Sequence, residues 1–368
     1  MKILVLVHAY VGHGRNAGAE TTLHDILKDW VARGASVDVV LDRKTSFTKP
    51  TAIDGVLVHP YDRGDNFNEM ARHTDILMSH LDCSERVGYV AESTGKPHVQ
   101  LIHNTMWQTE GYLSQGCALA IYNSNWVANH HHCSEKGPMA FLATEEKKDL
   151  VNISLMTRKV ASWPGVVCHP PIDYSSYAGT ASGDAITLIN LFENKGADLF
   201  YEMARRFPNE RFIGVAGGYG KQVLRVLPNV ELWENQEDVR EVYKQTKILL
   251  MPSVYESFGR VALEAAATGI PTVASDTPGL REALGPNGIY CNVTPGEPDS
   301  FGTVHPDPTV TDLNDWEDKI YSLLDDAEWV DASRTARKRT DYWVGETAVE
   351  MSRLWKALVA VDMKNKFG

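Results

Sequence analysis

The chain has 368 residues and a formal net charge of −12. That length is enough to bury the cores of two ordinary domains, so the fold needs no disulfide or metal to hold it together. The acidic balance repels phosphate backbones and anionic lipid, which argues against nucleic-acid binding as the main function. No run approaches the ~20 consecutive apolar residues that a membrane-spanning helix requires.

Residues 1–7 are apolar but too short for a signal peptide and lack a cleavage site. We therefore expect a first β-strand there, and a cytoplasmic protein. The cysteines are odd in number, scattered and without a CxxC pair, which indicates reduced thiols. They are Cys83, Cys117, Cys133, Cys168 and Cys291. His130, His131, His132 and Cys133 are consecutive, but neighbouring side chains on one helix point in different directions, so we expect no metal site.

Short β-rich apolar runs alternate with longer helical patterns along most of the chain. In the first half the runs cover 3–7, 36–41, 56–59, 76–79, 99–102 and 119–122. After a pause at 163–172 they resume at 186–190, 212–216, 230–233, 248–251, 272–275 and 288–290. This rhythm is typical of parallel sheets covered by helices, so it predicts an α/β fold with two Rossmann-like, doubly wound lobes.

The expected lobes are an N-terminal, acceptor-side lobe over 1–170 and a nucleotide-sugar-binding lobe over 171–340. A C-terminal helix over 341–368 is expected to pack back toward the first lobe and brace the two. Pro170 and Pro171 make the connection stiff, as a hinge would be. Open α/β sheets bind ligands at the carboxyl ends of their strands, so we expect the lobes to face each other across a ligand cleft.

The last part of the chain has a long Pro-, Gly- and Asp-rich stretch over 292–311, which predicts a surface loop. Helical patterns follow over 313–324 and from 328 almost to the end. The last pattern carries an apolar stripe, which indicates a core-facing or bracing helix rather than one lying on a membrane. The stripe consists of Met351, Leu354, Trp355, Leu358 and Val359. The basic group Arg334, Arg337, Lys338 and Arg339 is expected to be a solvated helix face.

Residues 251–271 read as strand, loop, helix and stop. Ser257 is a suitable N-cap, and Gly269 followed by Pro271 ends the helix. The first free N–H groups of the helix, near Phe258 and Gly259, would then form a site for an anion such as a diphosphate.

Glu264 is a carboxylate within an otherwise apolar helix, and burying it without partners would cost several kcal/mol. The two hydroxyls of a ribose would satisfy both of its oxygens. Glu256, in the loop before the helix, can reach the position of a sugar attached to the diphosphate. The alternative is that both glutamates are solvent-facing charges, which is the usual state of a carboxylate.

Glu256 and Glu264 resemble the Glu-x7-Glu motif of retaining nucleotide-sugar glycosyltransferases with the GT-B fold, particularly glycosyltransferase family 4. The surrounding residues match the same pattern: Pro252-Ser253, Ser257-Phe258-Gly259, Glu264-Ala265, Gly269-Ile270-Pro271 and Pro278-Gly279-Leu280. Asn194-Lys195-Gly196 is similar to the family's phosphate-binding Lys-Gly, and Gly18-Ala19-Glu20 resembles its first-lobe glycine loop.

The resemblance implies that Glu264 holds the donor ribose, Glu256 the transferred sugar and Lys195 the diphosphate. It places His103 beside the sugar; a strand-end histidine bonded to the backbone is the alternative. The remaining donor-site candidates are Gly18, Asn190, Ser257, Phe258, Gly259 and Arg260. Gly12 and Gly14 could line the same site or form a plain turn.

One departure concerns the diphosphate. The family usually carries an arginine shortly before its lysine, but here the strand ends Leu188-Ile189-Asn190. We hypothesise that Arg260, or Lys221 after the Gly217-Gly218 turn, compensates. Arg260 as a plain surface charge is the alternative.

The expected reaction is transfer of a hexose-type sugar from a nucleoside-diphosphate sugar to an acceptor hydroxyl with retention of configuration. UDP is preferred on family frequency, and no metal is expected. The acceptor stays open among saccharide, lipid, protein hydroxyl, small metabolite and modified nucleobase. One rival is an NAD(P)-dependent oxidoreductase, although Gly12-His-Gly14 is followed by Ala17 instead of a third glycine. Another is a non-catalytic sugar-nucleotide-binding protein, which the missing arginine motivates.

Overall fold

A computed structural model of the chain describes residues 1–12, 17–45, 48–61, 65–132, 151–152, 164–179, 181–297 and 304–367. The chain forms two compact units. The first takes in most of residues 1–171 and returns with residues 346–367, and the second takes in residues 172–345 with a short segment that ends at Gly18. The expected limits, 170 and 340, lie close to these divisions.

The first unit is built on a mainly parallel sheet. Within the described residues its strands are β1 Lys2–Val7, β2 Ser36–Leu41, β3 Thr51–Ile53, β4 Val56–His59, β5 Ile76–His80, β6 His98–Ile102, β7 Leu119–Tyr122, β8 Val151–Asn152 and β9 Pro164–Val167. Their order is β3-β4-β2-β1-β5-β6-β7-β9-β8, with β3 and β8 antiparallel to their neighbours. The order reverses between β1 and β5, and a reversal of this kind marks the binding edge of an open α/β sheet.

Helices cover both faces of this sheet. They are α1 Gly18–Ala32, α2 Asp65–Arg72, α3 Cys83–Thr94, α4 Trp107–Ser114 and α5 Asn125–His132. Along β1, Ile3 and Val5 belong to one buried cluster, while Leu4 and Leu6 belong to another. Because successive strand residues face opposite sides, a continuous apolar run indicates a strand buried on both faces.

The second unit has a sheet whose described strands pair in parallel throughout. They are β10 Ala185–Ile189, β11 Phe212–Val215, β12 Val230–Trp233, β13 Thr246–Met251, β14 Thr272–Ser275 and β15 Ile289–Cys291. The helices are α6 Tyr174–Tyr177, α7 Ala197–Arg206, α8 Arg240–Tyr243, α9 Arg260–Thr268, α10 Pro278–Leu284 and α11 Leu313–Leu324. The order β12-β11-β10-β13-β14-β15 reverses between β10 and β13. Two doubly wound α/β units confirm the predicted fold class.

One long helix, α12 Asp326–Phe367, closes the described chain and contributes residues to both units. Met351, Leu354 and Leu358 of the predicted stripe are buried in the core of the first unit, and Trp355 packs against it. The stripe is therefore core, as predicted, rather than a face for a membrane surface. Within the described ranges, none of the helices combines the length and apolarity that crossing a membrane requires.

The prediction of a solvated basic face on this helix is wrong for two of its arginines. Arg337 donates to the backbone carbonyls of Ala267 and Thr268, at the end of α9. Arg339 donates to the carbonyl of Ala283, near the end of α10, and stacks over Trp343. Cations favour helix carboxyl ends because the last carbonyls lack partners within the helix.

The predicted loop over 292–311 has little regular structure where it is described. Pro295 and Pro306 form an isolated antiparallel bridge, and Gly296 N donates to His305 O at 2.8 Å. Residues 298–303 of the prediction lie outside the described residues.

Candidate functional site

Lys195 and Glu256 meet at the reversal point of the second sheet. Lys195 ends a short 3-10 turn after β10, and Glu256 lies in the loop after β13. Lys195 Nζ donates to Glu256 Oε1 at 2.7 Å, and Ser253 Oγ donates to the same oxygen at 2.9 Å. The side chains are 25% and 13% exposed. Two residues predicted to act on the donor thus form a half-buried ion pair at the expected edge of the sheet.

A glycine allows the two loops to approach each other. Gly196 has φ +84°, and a β-carbon there would lie 2.5 Å from Pro252 Cγ and 2.6 Å from Pro252 O. The loops are also joined by a hydrogen bond from Val254 N to Asn194 O at 3.2 Å. The Lys-Gly and Pro-Ser motifs are therefore parts of one packed structure.

The loop that carries Glu256 is also held from its other side. A β-carbon on Gly279, at the start of α10, would overlap the carbonyl oxygen of Glu256. Ser275, which ends β14, donates its hydroxyl hydrogen bond to Ser253 O. With backbone packed on both sides, Glu256 has a fixed position at the edge of the sheet.

The helix after this loop begins later than predicted. α9 starts at Arg260, and its N-cap is Gly259 with φ +108°, a conformation that favours glycine. A β-carbon at Gly259 would also lie 2.7 Å from Leu280 Cδ2. The expectation of an N-cap at Ser257 is therefore wrong, because packing against α10 places the turn at the glycine. Phe258 is buried and packs edge-on against Trp343, with ring centroids 5.1 Å apart.

Glu264 is only 5% exposed, and the structure supplies donors to both of its oxygens. Arg260 Nε donates to Oε1 at 2.6 Å, and the Tyr243 hydroxyl donates to Oε2 at 3.0 Å. Burial, followed by the nearby Glu264 carboxylate, raises the pKa of Tyr243 well above its ordinary value, so the hydroxyl stays a donor. The premise that Glu264 lacks protein partners is wrong. Its proposed contact with a ribose stays a prediction.

Arg260 is buried, so the alternative of a surface charge is wrong. Its contact with Glu264 fixes the guanidinium beside a carboxylate, and its reach to a phosphate stays a prediction. Lys221, the other proposed replacement cation, is exposed in the loop after β11.

Asn190 directly follows strand β10, at the point where the family resemblance expects arginine, and its φ is +79°. Its side chain lies directly over Gly217, where a β-carbon would overlap it. Among the described residues, Asn190 Oδ1 and Asn194 Oδ1 are buried without a hydrogen-bond partner. A side-chain amide can present its oxygen or, turned over, its NH2 group, so both residues can bind a ligand at this edge.

The first sheet has its own polar cluster where β1, β5 and β6 end. His8 Nε2 lies 3.3 Å from Glu20 Oε1, and His8 Nδ1 lies 3.1 Å from Asp82 Oδ1. The His8 ring stacks on His80 with centroids 5.7 Å apart. His80 Nδ1 in turn lies 3.2 Å from His103 Nε2.

The three histidines of this cluster do not all carry the same charge. Hydrogen bonds with Asp82, Cys83 and Glu20 raise the pKa of His8 to about 11. Burial, followed by the charges of its histidine neighbours, lowers the pKa of His80 to about 3, and burial lowers that of His103 to about 4. At neutral pH the cluster therefore holds one imidazolium, on His8, and two neutral imidazoles.

The alternative for His103 was a strand-end histidine whose ring bonds to the backbone. In the structure its ring contacts the ring of His80, and it is the backbone carbonyl of His103 that accepts from Asn123. Its place beside a sugar stays a prediction. Sequence reasoning missed His8, His80 and Asp82. The signal was available, because each stands at or just after the end of a predicted strand that flanks the reversal point.

Gly18 is a predicted donor-site residue, and Gly12 was expected either to line that site or to form a plain turn. Gly18 opens the helix α1, and Gly12 has φ +71°, as a turn requires. Gly14 lies outside the described residues. The roles of Gly18, Ser257, Phe258 and Gly259 toward a nucleotide stay predictions.

Within the described part of the chain, two groups of side chains have the spacing of metal ligands. The ligand atoms of His8, Asp82 and Cys83 lie within 4.8 Å of one another, as do those of Glu110, His130 and His131. The argument that neighbouring histidines on one helix point apart is therefore wrong for His130 and His131. Cys133 lies outside the described residues.

Comparison with known proteins gives a consistent result. The family model described as "Glycosyl transferases group 1" matches residues 184–303. The chain is 24% identical over 422 aligned residues to a D-inositol 3-phosphate glycosyltransferase of Kineococcus radiotolerans, covering 95% of this chain and 93% of that protein. It is 46% identical over 69 residues to an uncharacterized glycosyltransferase of Methanocaldococcus jannaschii, but that stretch spans only 17% of the relative.

Among solved structures, the chain is similar to HepE of Anabaena in complex with UDP and glucose, with a TM-score of 0.67 and 16% identity. That match covers 98% of this chain and 100% of the other. The likeness shows the GT-B fold with two Rossmann-like lobes. Fold, family match and relatives together support a glycosyltransferase, and they do not favour the oxidoreductase.

Proposed function

We propose that the protein is a retaining glycosyltransferase that moves a hexose-type sugar from a nucleoside-diphosphate sugar to an acceptor hydroxyl. The observation that carries this proposal is the pair formed by Lys195 Nζ and Glu256 Oε1, 2.7 Å apart at the reversal point of the second sheet. A cation for the diphosphate and an acceptor for sugar hydroxyls thereby stand side by side. The resemblance to family 4 supports retention.

Each of these residues binds a different part of the donor. Lys195 stabilises the negative charge that develops on the departing diphosphate. Charge that develops in the transition state is what a fixed cation stabilises most. The first N–H groups of α9, after Gly259, add the positive end of a helix dipole. Glu264 receives the ribose hydroxyls while Arg260 and Tyr243 hold it in place. Asn190 offers its amide to a phosphate oxygen where the family uses a guanidinium.

The comparisons support a proposal for the donor and for the acceptor. The UDP and glucose in the HepE complex favour UDP-hexose. The name of the Kineococcus relative favours a phosphorylated polyol acceptor. The transfer needs no metal in this scheme, since Lys195 and backbone N–H groups meet the phosphate charge. The sequence has no Asp-x-Asp pair, the motif through which many transferases hold a metal.

Donor binding and turnover test the proposal together. The protein is incubated with a panel of nucleoside diphosphates, their hexose conjugates, NAD and NADP, and thermal shift identifies what binds the folded state. With the binding conjugate, release of nucleoside diphosphate is followed by coupled assay, first with water as acceptor and then with candidate polyols. We expect slow donor hydrolysis that Lys195→Gln abolishes, and a product whose anomeric configuration, read by NMR, matches the donor.

Two other results would contradict the proposal. Binding of a sugar nucleotide with no turnover on any acceptor would indicate the non-catalytic binding protein. A shift with NAD or NADP alone would restore the oxidoreductase.

A further inference from the structure

Both cations that the structure brings to the Glu-x7-Glu segment already have a carboxylate partner. Lys195 pairs with Glu256 at 2.7 Å and Arg260 pairs with Glu264 at 2.6 Å. A diphosphate that binds Lys195 must therefore compete with Glu256 for the same ammonium group. The ammonium has three N–H donors and can contact both groups, but the carboxylate and the diphosphate then lie side by side and repel each other.

We propose that Glu256 selects nucleotides that carry a sugar and discriminates against the bare nucleoside diphosphate. This inference rests on the proposed function and deepens it. Glu256 is the specificity-determining residue, and Lys195 is the group for which the carboxylate and the diphosphate compete.

The discrimination follows from what Glu256 loses when it shares Lys195 with a phosphate. The carboxylate is 13% exposed, and Ser253 Oγ is the other donor of the described pair of contacts. A half-buried carboxylate that shares its charged donor with a second anion loses free energy unless another donor is added. The hydroxyls of a transferred sugar are such donors, whereas a bare diphosphate has none to offer.

Glu256 cannot avoid this loss by moving into solvent. Its loop is packed against Gly279 on one side, and Ser253 in the same loop is held by Ser275. On the other side, the loop contacts the Lys195 turn through Gly196 and Pro252. A fixed carboxylate therefore works against the reaction product, the free nucleoside diphosphate, and favours its release after transfer.

The test is isothermal titration of wild type and Glu256→Gln with one nucleoside diphosphate and its hexose conjugate. In wild type we expect the conjugate to bind several-fold more tightly than the diphosphate. In Glu256→Gln we expect the diphosphate to bind about tenfold more tightly than in wild type, the scale of one hydrogen bond to a charged group. The conjugate should gain less or bind more weakly, and donor turnover should fall.

Opposite signs for product affinity and turnover separate this role from a structural one, which would weaken both. Glu234→Gln removes an exposed carboxylate just after β12 in the same unit and serves as the charge control, with affinities within about twofold of wild type. In the Lys195→Gln background, Glu256→Gln should no longer tighten diphosphate binding, since the residue competed for is gone.

The inference is overturned if Glu256→Gln binds the diphosphate no better than wild type. It is also overturned if wild type binds diphosphate and conjugate equally, a result that does not depend on how well any variant folds. If wild type binds no member of the nucleotide panel, the proposed function itself fails, so the two failures are distinguishable.

Discussion

The Tyr243 hydroxyl donates to Glu264 Oε2 at 3.0 Å, and both residues are buried although they lie 21 positions apart. Tyr243→Phe removes this donor and leaves a buried carboxylate oxygen short of a partner. We expect a loss of about 1–3 kcal/mol in the free energy of unfolding, the cost of an unsatisfied buried polar group. Urea unfolding measures it. Tyr321→Phe, at an exposed site, is the matched control and should change little.

A second prediction concerns the ribose contact of Glu264, tested from the ligand side so that the Arg260 pair stays intact. We expect wild type to bind a 2′-deoxynucleoside diphosphate about tenfold more weakly than the ribonucleotide, because one hydrogen bond to a charged group is lost. Titration calorimetry measures both affinities. Glu264→Gln should reduce the difference in affinity between the two nucleotides. Equal affinities in wild type would remove Glu264 from the nucleotide site.

Gly196 gives a third prediction. Alanine there meets both a φ of +84° and the Pro252 carbonyl oxygen at 2.6 Å. We expect Gly196→Ala to destabilise the protein by about 2 kcal/mol or more, and to weaken nucleotide binding by displacing Lys195. The control is Gly345→Ala in α12, where an added β-carbon meets nothing within 4 Å. A stabilisation of about 0.5–1 kcal/mol is expected in that helix. Similar effects at the two sites would contradict the packing argument.

The fourth prediction is a loss of stability in acid. Burial lowers the pKa of His98 to about 4 from 6.5, and His80 and His103 behave alike. Below pH 6.5 these histidines become protonated in the unfolded chain but stay neutral in the folded protein. The free energy of unfolding therefore falls as the pH drops from 6.5 toward 4. Each contributes about 1.4 kcal/mol per pH unit. His8, whose pKa is raised to about 11, is protonated in the folded state throughout. Its unfolded form also becomes protonated as the pH falls below 6.5, so its slope, of opposite sign, is confined to the top of this range.

His98→Gln measures the contribution of a single histidine to this pH dependence of stability. The ring contacts Ser79 Oγ at 2.7 Å, and glutamine keeps a polar group there without titrating. Urea unfolding at pH 7.5, 6.0 and 5.0 should show the stability difference between wild type and variant shrinking as the pH falls. A difference that stays constant would mean that His98 titrates normally.

Much of the fold was predictable because buried parallel strands appear in the sequence as continuous apolar runs. The predicted limits of β2, β7 and β14 are those of the structure. Helix starts are harder, because several residues near a start can cap it. Ser257 was the predicted cap, but glycine is also accepted at this position. The cap is Gly259, which packs against Leu280.

Side-chain partners were the least predictable part of the candidate site. The motif identified Lys195 and Glu256 separately, but 61 positions separate them and no local pattern states that they touch. The partners of Glu264 show the same limit. Arg260 lies one helical turn away and was assigned to a phosphate, whereas Tyr243 comes from another helix altogether.

The helix α12 has a consequence for how the protein is made. The apolar residues of this helix complete the core that surrounds β1, which lies far earlier in the chain; they are Met351, Leu354, Ala357 and Leu358. Nascent chains usually fold domain by domain from the amino terminus. Here the first sheet keeps an apolar face uncovered until α12 has been synthesised. Most of the second unit, residues 172–345, is synthesised before that helix is complete.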